Sequence, residues 1–438
     1  MRKTKIICTL GPATDDEKTL EAIALAGMNV ARFNFSHGDH ASHLERFQRL
    51  VHVREKHQLP IATLLDTKGP EIRIGTFQTG KATLKAGNPF MLTTRQVTGD
   101  DTQVHVNYAD LPADIRPGAA ILLDDGLVAL KVDSIADTDI HCTVLNDGVI
   151  SDRKGVNCPG TELSMPYISD RDRADILFGI EHGFDFVAAS FARTADDVLE
   201  IRKLLDEHGC HDMDIIAKIE NAQGVANIDD IIRVADGIMV ARGDMGVEIP
   251  LEDVPVLQKL IIKKAFGGGK RVITATQMLD SMMKNPRPTR AEATDVANAI
   301  YDGTSAIMLS GETAAGLYPV EAVKTMARIA LRAEEDIDYI KRFQNRVDEE
   351  TPNVTNAISH ATCTSAHDLG AAAIITVTKS GKTARMISKF RPRCPIIGCA
   401  TEERVYRKLN LSWGVTPVMI QEESDTDDLF EHAVAAAQ

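Results

Sequence analysis

Ile215-Ile216-Ala217-Lys218-Ile219-Glu220-Asn221 is an apolar run that turns ionic at its far end. A parallel strand buried on both faces should stay apolar along its length. Seven other short runs behave in the same way, at residues 4–11, 30–37, 62–68, 186–191, 237–244, 272–278 and 306–312. Their last residues include Arg32, Asn34, Ser36, Asp66, Lys68, Arg242, Asp244, Thr276, Ser310 and Glu312. Most are followed by a helical stretch. Charge gathered at the C-terminal ends of parallel strands is what a (β/α)8, or TIM, barrel requires, because its active site lies on that face. The pattern predicts an enzyme whose site holds phosphate, metal and carboxylate together.

Helix signals punctuate the runs. Asp15-Asp16-Glu17-Lys18 puts acids in the first turn of one helix and Gly27 follows its end, as the macrodipole and C-cap rules expect. A second helix is expected over 39–58, closed off by Pro60, with others at 170–182, 194–208, 222–235, 254–267, 289–301 and 319–343. Strands alternating with helices imply βαβ units and a parallel sheet. Between Gly69 and Pro159 the rhythm breaks. Period-2 patches at 90–94, 121–123, 127–132 and 140–145 are separated by Gly-Asn-Pro, Gly-Asp-Asp, Pro-Gly and Asp-Asp-Gly turns, with no convincing helix pattern. The stretch is too long for a structureless loop. It predicts an inserted small β-barrel domain over 70–158, dividing the barrel into 1–69 and 159–345. Leaving at a βα loop, it would hang over the active-site face as a lid that excludes water.

From residue 346 to 438 an α/β module follows, with helices expected at 354–369, 383–390, 402–409 and 427–437 and strands at 372–378, 395–399 and 414–419. Three parallel strands fall below the usual four to six, so this C-terminal domain reads as incomplete, or truncated. The net charge of −14 argues against a nucleic-acid partner. No run approaches the ~18 apolar residues of a membrane span. MRKTKII leads straight into a strand, without a signal-peptide core. Seven scattered cysteines with no CxxC pair suit reduced thiols and a cytoplasmic location.

Lys218 and Glu220 lie two apart, so both side chains point into the barrel mouth. Asp244, at the next strand end, brings a second carboxylate, and two carboxylates suit Mg²⁺, which completes its shell with substrate and water. Lysine beside them is a fixed positive charge for a transferring phosphoryl group or a developing enolate oxygen. Gly243-Asp244-Met245-Gly246 reads as a loop whose N–H groups face an anion such as a substrate carboxylate. Arg32 and Arg73 are candidate phosphate forks. Asn34, Ser36, Asp66 and Thr67 offer one carboxylate among neutral oxygens, a set for K⁺ or an ordinary hydrogen-bond network. Thr276 could orient a water or a proton donor, and His37 could stack on a nucleotide.

The chain resembles pyruvate kinase. The resemblance is carried by Thr4-Lys5-Ile6-Ile7-Cys8-Thr9-Leu10-Gly11-Pro12-Ala13, Ala31-Arg32-Phe33-Asn34-Phe35-Ser36-His37-Gly38 and Leu65-Asp66-Thr67-Lys68-Gly69-Pro70-Glu71-Ile72-Arg73. The Lys218/Glu220 segment, Ala241-Arg242-Gly243-Asp244-Met245-Gly246-Val247-Glu248, Ala275-Thr276-Gln277-Met278-Leu279 and Met308-Leu309-Ser310-Gly311-Glu312-Thr313-Ala314 complete it, in family order. It implies transfer of phosphate from phosphoenolpyruvate to ADP, giving pyruvate and ATP in glycolysis. Lys218, Arg32, Arg73 and Thr276 become catalytic, and Gly243, Asp244, Thr276, Ser310 and Glu312 line the substrate. Pro12, Arg32, His37, Arg73 and Lys154 border the nucleotide. Glu220 and Asp244 hold Mg²⁺ or Mn²⁺, and Asn34, Ser36, Asp66 and Thr67 hold K⁺. Glu71 implies K⁺ dependence, since similar enzymes with Lys there do without it.

The resemblance also makes Thr378, Ser380, Gly381, Lys382 and Thr383 a sugar-phosphate effector site. It implies a homotetramer, with a dimer as the alternative. Family members normally continue past Gln438, which puts effector control in doubt. Two other readings stay open: a Mg²⁺-dependent aldolase acting on pyruvate enolates, and a catalytically silent paralogue that binds metabolites.

Overall fold

The computed structural model describes residues 1–345, 353–421 and 431–435. Eight parallel strands close into a barrel: β1 Lys5–Thr9, β2 Val30–Asn34, β3 Ala62–Asp66, β4 Phe186–Ala189, β5 Asp214–Ile219, β6 Gly237–Ala241, β7 Arg271–Ala275 and β8 Ala306–Leu309. Neighbours in sequence are neighbours in the sheet, and β8 pairs with β1. Each strand starts within one residue of the start of an apolar run, and the functional charges fall at or just past its end: Arg32, Asp66 and Lys218 each occupy one of the last three positions of their strands, and Glu220, Arg242 and Asp244 follow theirs. Those residues therefore gather at the C-terminal ends of the strands, at the barrel mouth. Alternate residues face opposite sides: Ile7, Ile216 and Met239 fill the barrel interior, whereas Ile6, Ile215 and Ile238 pack under the helices. Burial on both faces is why the runs show no polar alternation.

The helices start where their caps dictate. Asp16 accepts from the Thr19 N–H at 3.0 Å and opens Glu17–Ala26, which Gly27 ends. Asp39 and Ser42 form a capping box for His40–Lys56. Two expected helices are broken in the structure. The one at 222–235 divides into Ala222–Ala226 and Ile228–Val234 at Asn227, which leaves helical geometry with φ −98° and ψ 16° and whose side-chain amide donates to the Arg193 carbonyl at 3.0 Å. The one at 319–343 ends at Asp336, and Asp338 caps a new helix, Tyr339–Gln344, through the Lys341 N–H.

The segment after β3 forms a seven-stranded sheet and a two-stranded ribbon with a separate apolar core around Phe77, Phe90, Leu92 and Leu130. Its edge strands, Ile72–Arg73 and Gln103–His105, meet through Gly75 N–H to His105 O (2.8 Å) and Asn107 N–H to Arg73 O (3.0 Å). One short helix, Leu111–Asp114, lies where none was expected, anchored by fully buried Leu111. In the C-terminal α/β domain three parallel strands, β9 Ile374–Val377, β10 Ile396–Ala400 and β11 Val415–Met419, lie in that order. Helices Val354–Asp368, Lys382–Lys389 and Glu403–Leu409 flank them. The expected break at 346–352 and most of the helix at 427–437 lie outside the described residues; 431–435 are helical. Leu411 of this domain joins the core inside the barrel, beside Ile7, Phe186 and Met239.

Candidate active site

Lys218 is the hub of the barrel mouth. Its ammonium lies 3.1 Å from Asp66 Oδ1 and 3.0 Å from Glu220 Oε1, and it donates to Ser190 Oγ at 2.7 Å. Arg32 Nε donates to the other Asp66 oxygen at 2.6 Å and Nη1 to Thr9 Oγ1 at 2.9 Å. Strands β1 to β5 thus deliver Thr9, Arg32, Asp66, Ser190 and Lys218 to one point. Ser190 Oγ donates in turn to the Thr67 carbonyl at 2.6 Å. Gly69 permits this crowding: it sits at φ +75°, and a Cβ there would lie 2.8 Å from the Ser190 Cβ.

The charges do not balance. Asp66 is held by two cations, and Arg32 and Lys218 keep its carboxyl below the usual range even though it is fully buried. Lys218 is held above its usual value, because Asp66 and Glu220 outweigh the cost of burial, so it is a permanent cation. Glu220 has no such compensation. Burial pushes its carboxyl up to about 8, opposed by Lys218 and reinforced by Asp244. Its Oε2 accepts the Phe191 N–H at 2.5 Å, but Oε1, although beside Lys218, is buried without a hydrogen bond. Among the described residues Asp66 and Glu220 pair with Arg32 and Lys218, and Asp244 adds a third acid beside them, so positive charge is short at this point. A divalent cation on Glu220 and Asp244 fits that deficit and the orphaned oxygen. Among the described residues no three His, Cys, Asp or Glu side chains converge as a metal cluster; Mg²⁺ takes few protein ligands.

Asp244 is not on a loop. Arg242–Glu248 is helical, so the expected glycine loop at 243–246 is corrected to a helix start. Its orientation is fixed by Arg242, which donates to Asp295 and to the Thr276 carbonyl, each at 2.7 Å. The Gly243 N–H donates to Thr276 Oγ1 at 2.8 Å, and a Cβ at 243 would crowd that hydroxyl at 3.3 Å. Thr276 itself has φ +68°, a conformation costing a β-branched residue on the order of 1–3 kcal/mol. Both Glu312 oxygens are taken by backbone N–H groups of Leu279 (3.0 Å) and Ser310 (2.7 Å). Ser310 Oγ is buried without a partner.

Over this mouth the inserted domain and the barrel enclose a cleft of about 430 Å³, lined among others by Glu71, Asp125, Asn157, Phe191, Asp244 and Glu248. The Asn157 amide donates to Glu248 at 3.0 Å across it. The Asp125 carboxyl is raised by burial and then by Asp244, so the two acids feel each other. Arg73 pairs with Glu71 at 2.6 Å and donates to the Arg153 carbonyl, and Lys154 pairs with Asp124 at 3.0 Å. These two bases are occupied within the inserted domain. Pro12 and His37 are exposed, and Asn34 Oδ1 accepts the Ser36 N–H at 3.2 Å. Sequence reasoning missed Thr9, Ser190 and Asp125; the first two stand at strand ends, where the rule that found Lys218 applies.

The pyruvate kinase barrel-domain model matches residues 1–323, and the pyruvate kinase alpha/beta-domain model matches 356–438. The chain belongs to the pyruvate kinase family. The pyruvate kinase of Clostridium acetobutylicum is 52% identical over 438 residues, which is all of this chain and 93% of that protein. That of Geobacillus stearothermophilus is also 52% identical, over all of this chain and 75% of its own length. The crystal structure of a pyruvate kinase from Cryptosporidium parvum superposes with a TM-score of 0.96 at 42% identity, covering all of this chain and 90% of that one. The chain is an enzyme of the transferase class. Its whole-length similarity supports that reading over an aldolase or a silent paralogue.

Proposed function

We propose that the chain transfers the phosphoryl group of phosphoenolpyruvate to ADP, releasing pyruvate and ATP. The observation that carries this reading is the Lys218 ammonium set between Asp66 and Glu220, 3.1 and 3.0 Å away, with the neighbouring Glu220 oxygen buried and accepting no hydrogen bond. Phosphoryl transfer is mostly positioning and charge neutralisation. Lys218, fixed by Asp66 and Ser190, presents its ammonium to the transferring group and then to the enolate oxygen left behind. Arg32 and Arg73 hold phosphate oxygens, Arg73 after exchanging Glu71 for substrate. The Gly243 and Asp244 backbone at the start of Arg242–Glu248 receives the substrate carboxylate, with Ser310 and Glu312 behind it. The Thr276 hydroxyl orients the proton source for the enolate carbon. Pro12, His37 and Lys154 border the nucleotide.

Glu220 and Asp244 hold Mg²⁺ or Mn²⁺, which when bound neutralises phosphoryl oxygens as a Lewis acid. Asn34, Ser36, Asp66 and Thr67 would hold K⁺, which would supply a further positive charge beside the transferring group. The inserted domain, taken as 70–158 between barrel parts 1–69 and 159–345, serves as the lid. In the module taken as 346–438, Thr378, Ser380, Gly381, Lys382 and Thr383 receive a sugar phosphate. Support comes from helix Lys382–Lys389, whose N-terminus has glycine and no side-chain cap. The enzyme is cytoplasmic and works as a homo-oligomer, a tetramer or a dimer.

The deciding experiment measures pyruvate formation from phosphoenolpyruvate and ADP with Mg²⁺, in paired buffers containing K⁺ or only a large organic cation. Turnover that collapses without K⁺ is expected. Turnover indifferent to K⁺ would remove the monovalent site, and none in either buffer would remove the reaction.

A further inference from the structure

The inserted domain is joined to the barrel by two chain segments, 67–70 on the way out and 159–169 on the way back, and both are bonded to one residue, Ser190, just past the end of β4. On the outgoing side the Ser190 N–H donates to Thr67 Oγ1 at 3.2 Å and its hydroxyl to the Thr67 carbonyl at 2.6 Å. Gly69 presses on the same residue: a Cβ there would lie 2.8 Å from the Ser190 Cβ and 3.0 Å from the Ser190 carbonyl oxygen. On the returning side the buried Tyr167 donates its hydroxyl to the Ser190 carbonyl at 3.0 Å. Arg193, in the loop after β4, donates to the carbonyls of Leu163 (3.0 Å) and Met165 (3.2 Å) and is itself fixed by Asp197 at 3.0 Å. The two segments are also tied to each other. Asp172, in the helix Asp170–Glu181 that the returning chain enters, accepts from the Lys68 and Gly69 N–H groups at 3.0 and 3.1 Å.

On its other side Ser190 faces the site. Its Oγ accepts from the Lys218 ammonium at 2.7 Å, and the adjoining Phe191 N–H donates to Glu220 Oε2 at 2.5 Å. Phe191 holds φ +54° there, a left-handed conformation that persists only where the surroundings over-determine it. The N–H and carbonyl of Ser190 are thus spent on the two hinge segments, and its hydroxyl is shared between a hinge carbonyl and the lysine. A residue that served only to orient Lys218 would need none of the hinge bonds.

We propose that Ser190 is a positioning residue that couples the angle of the inserted domain to the place of the Lys218 ammonium, in the phosphoryl transfer proposed above. When the domain swings, the hinge segments carry Ser190 with them and the lysine loses its neutral ligand. Asp66 and Glu220 alone then hold the ammonium, drawing it towards the acids. With the hinges seated as they are here, the Ser190 proton is committed to Thr67, and the hydroxyl turns a lone pair to Lys218 and aims it.

The test pairs steady-state pyruvate formation from phosphoenolpyruvate and ADP, with Mg²⁺ and K⁺, with amide hydrogen exchange on the same full chains. Ser190→Ala should lower kcat about tenfold, the scale of one hydrogen bond to a charged group, with KM for phosphoenolpyruvate within about twofold of the parent. Tyr167 touches neither Lys218 nor Glu220, yet Tyr167→Phe should lower kcat about fivefold, the scale of a neutral hydrogen bond. Because Tyr167 acts through Ser190, the double variant should stay within about twofold of Ser190→Ala and not reach the product of the two effects. Tyr167→Phe should also speed exchange of the Ser190 and Phe191 amides, which bond Thr67 and Glu220, whether or not the protein turns over. Melting temperatures check that the variants fold, and if Ser190→Ala does not, Tyr167→Phe decides. Unchanged kcat in Tyr167→Phe, single effects that multiply, or unchanged exchange at 190–191 would overturn the coupling. A parent without turnover would instead remove the reaction, and the exchange result would still decide the coupling.

Discussion

The two ends of the barrel are both charged, and they spend that charge differently. At the lower end Asp185 is fully buried and saturated: Thr63 donates through N–H (2.9 Å) and hydroxyl (3.1 Å), and Arg407 through its guanidinium at 3.0 Å. Asp214 is divided between Arg271 and Lys408, each at 2.8 Å. At the mouth Asp66 is equally saturated, but Glu220 keeps one oxygen without a hydrogen bond. Closed ion pairs join domains, whereas an acid left half-satisfied beside a permanent cation is arranged for something that arrives later. A buried pair adds little net stability, but breaking it leaves an uncompensated charge. Substitutions at the two ends should therefore fail in different ways.

Lys218→Met tests the mouth. Turnover should fall by roughly 10³-fold, the scale of removing one preorganised charge stabiliser, with the melting temperature shifting less than for the lower-end variants. A loss under tenfold would place the catalytic cation elsewhere. Arg407→Met tests the other end, where denaturant unfolding should show about 3–5 kcal/mol lost because Asp185 stays buried without its cation. Its kcat per folded molecule should stay near that of the parent, and a fall in kcat with unchanged stability would erase the distinction. Leu411→Ala should cost about 2–5 kcal/mol as a cavity opens in the barrel interior, again with kcat retained.

The smallest effect concerns Lys5, whose fully buried ammonium donates to the Val415 carbonyl at 2.6 Å. Burial, and then Arg2, lower its pKa to about 7, against about 10.4 in the unfolded chain. Between those values the unfolded chain binds more protons, so this residue makes stability rise with pH, by up to about 1.4 kcal/mol per pH unit. Lys5→Met should flatten the pH dependence measured from pH 7.5 to 9.5. Parallel curves for parent and variant would show that Lys5 does not titrate there.

The mouth was legible in the sequence because its charges break apolar runs, as Arg32, Asp66, Lys218 and Glu220 all do. Thr9 and Ser190 obey the same rule but look unremarkable, since small hydroxyl residues are common in strands and turns. Gly243 and Gly246 read as a loop because glycine is a poor helix former; the Arg242 contacts to Asp295 and Thr276 override that preference. The lower end was hidden for another reason. Lys408 meets Asp214 across 194 residues of sequence, and no local pattern announces such a pair. In the inserted domain the patches at 90–94 and 140–145 were found. Strands of two or three residues, such as Ile72–Arg73 and Gly155–Asn157, are shorter than any alternation can register.

Leu411 is made by the ribosome long after the last barrel strand, yet it occupies the interior of the cylinder those strands form. Domains of many proteins fold one after another as they emerge. Here a nascent chain that has finished β8 still carries an unstoppered tube, with Phe186 and Met239 waiting for their last neighbour. Co-translational maturation of the catalytic half is thus tied to the far domain, and a gene fusion or split that parts them would release an uncorked barrel.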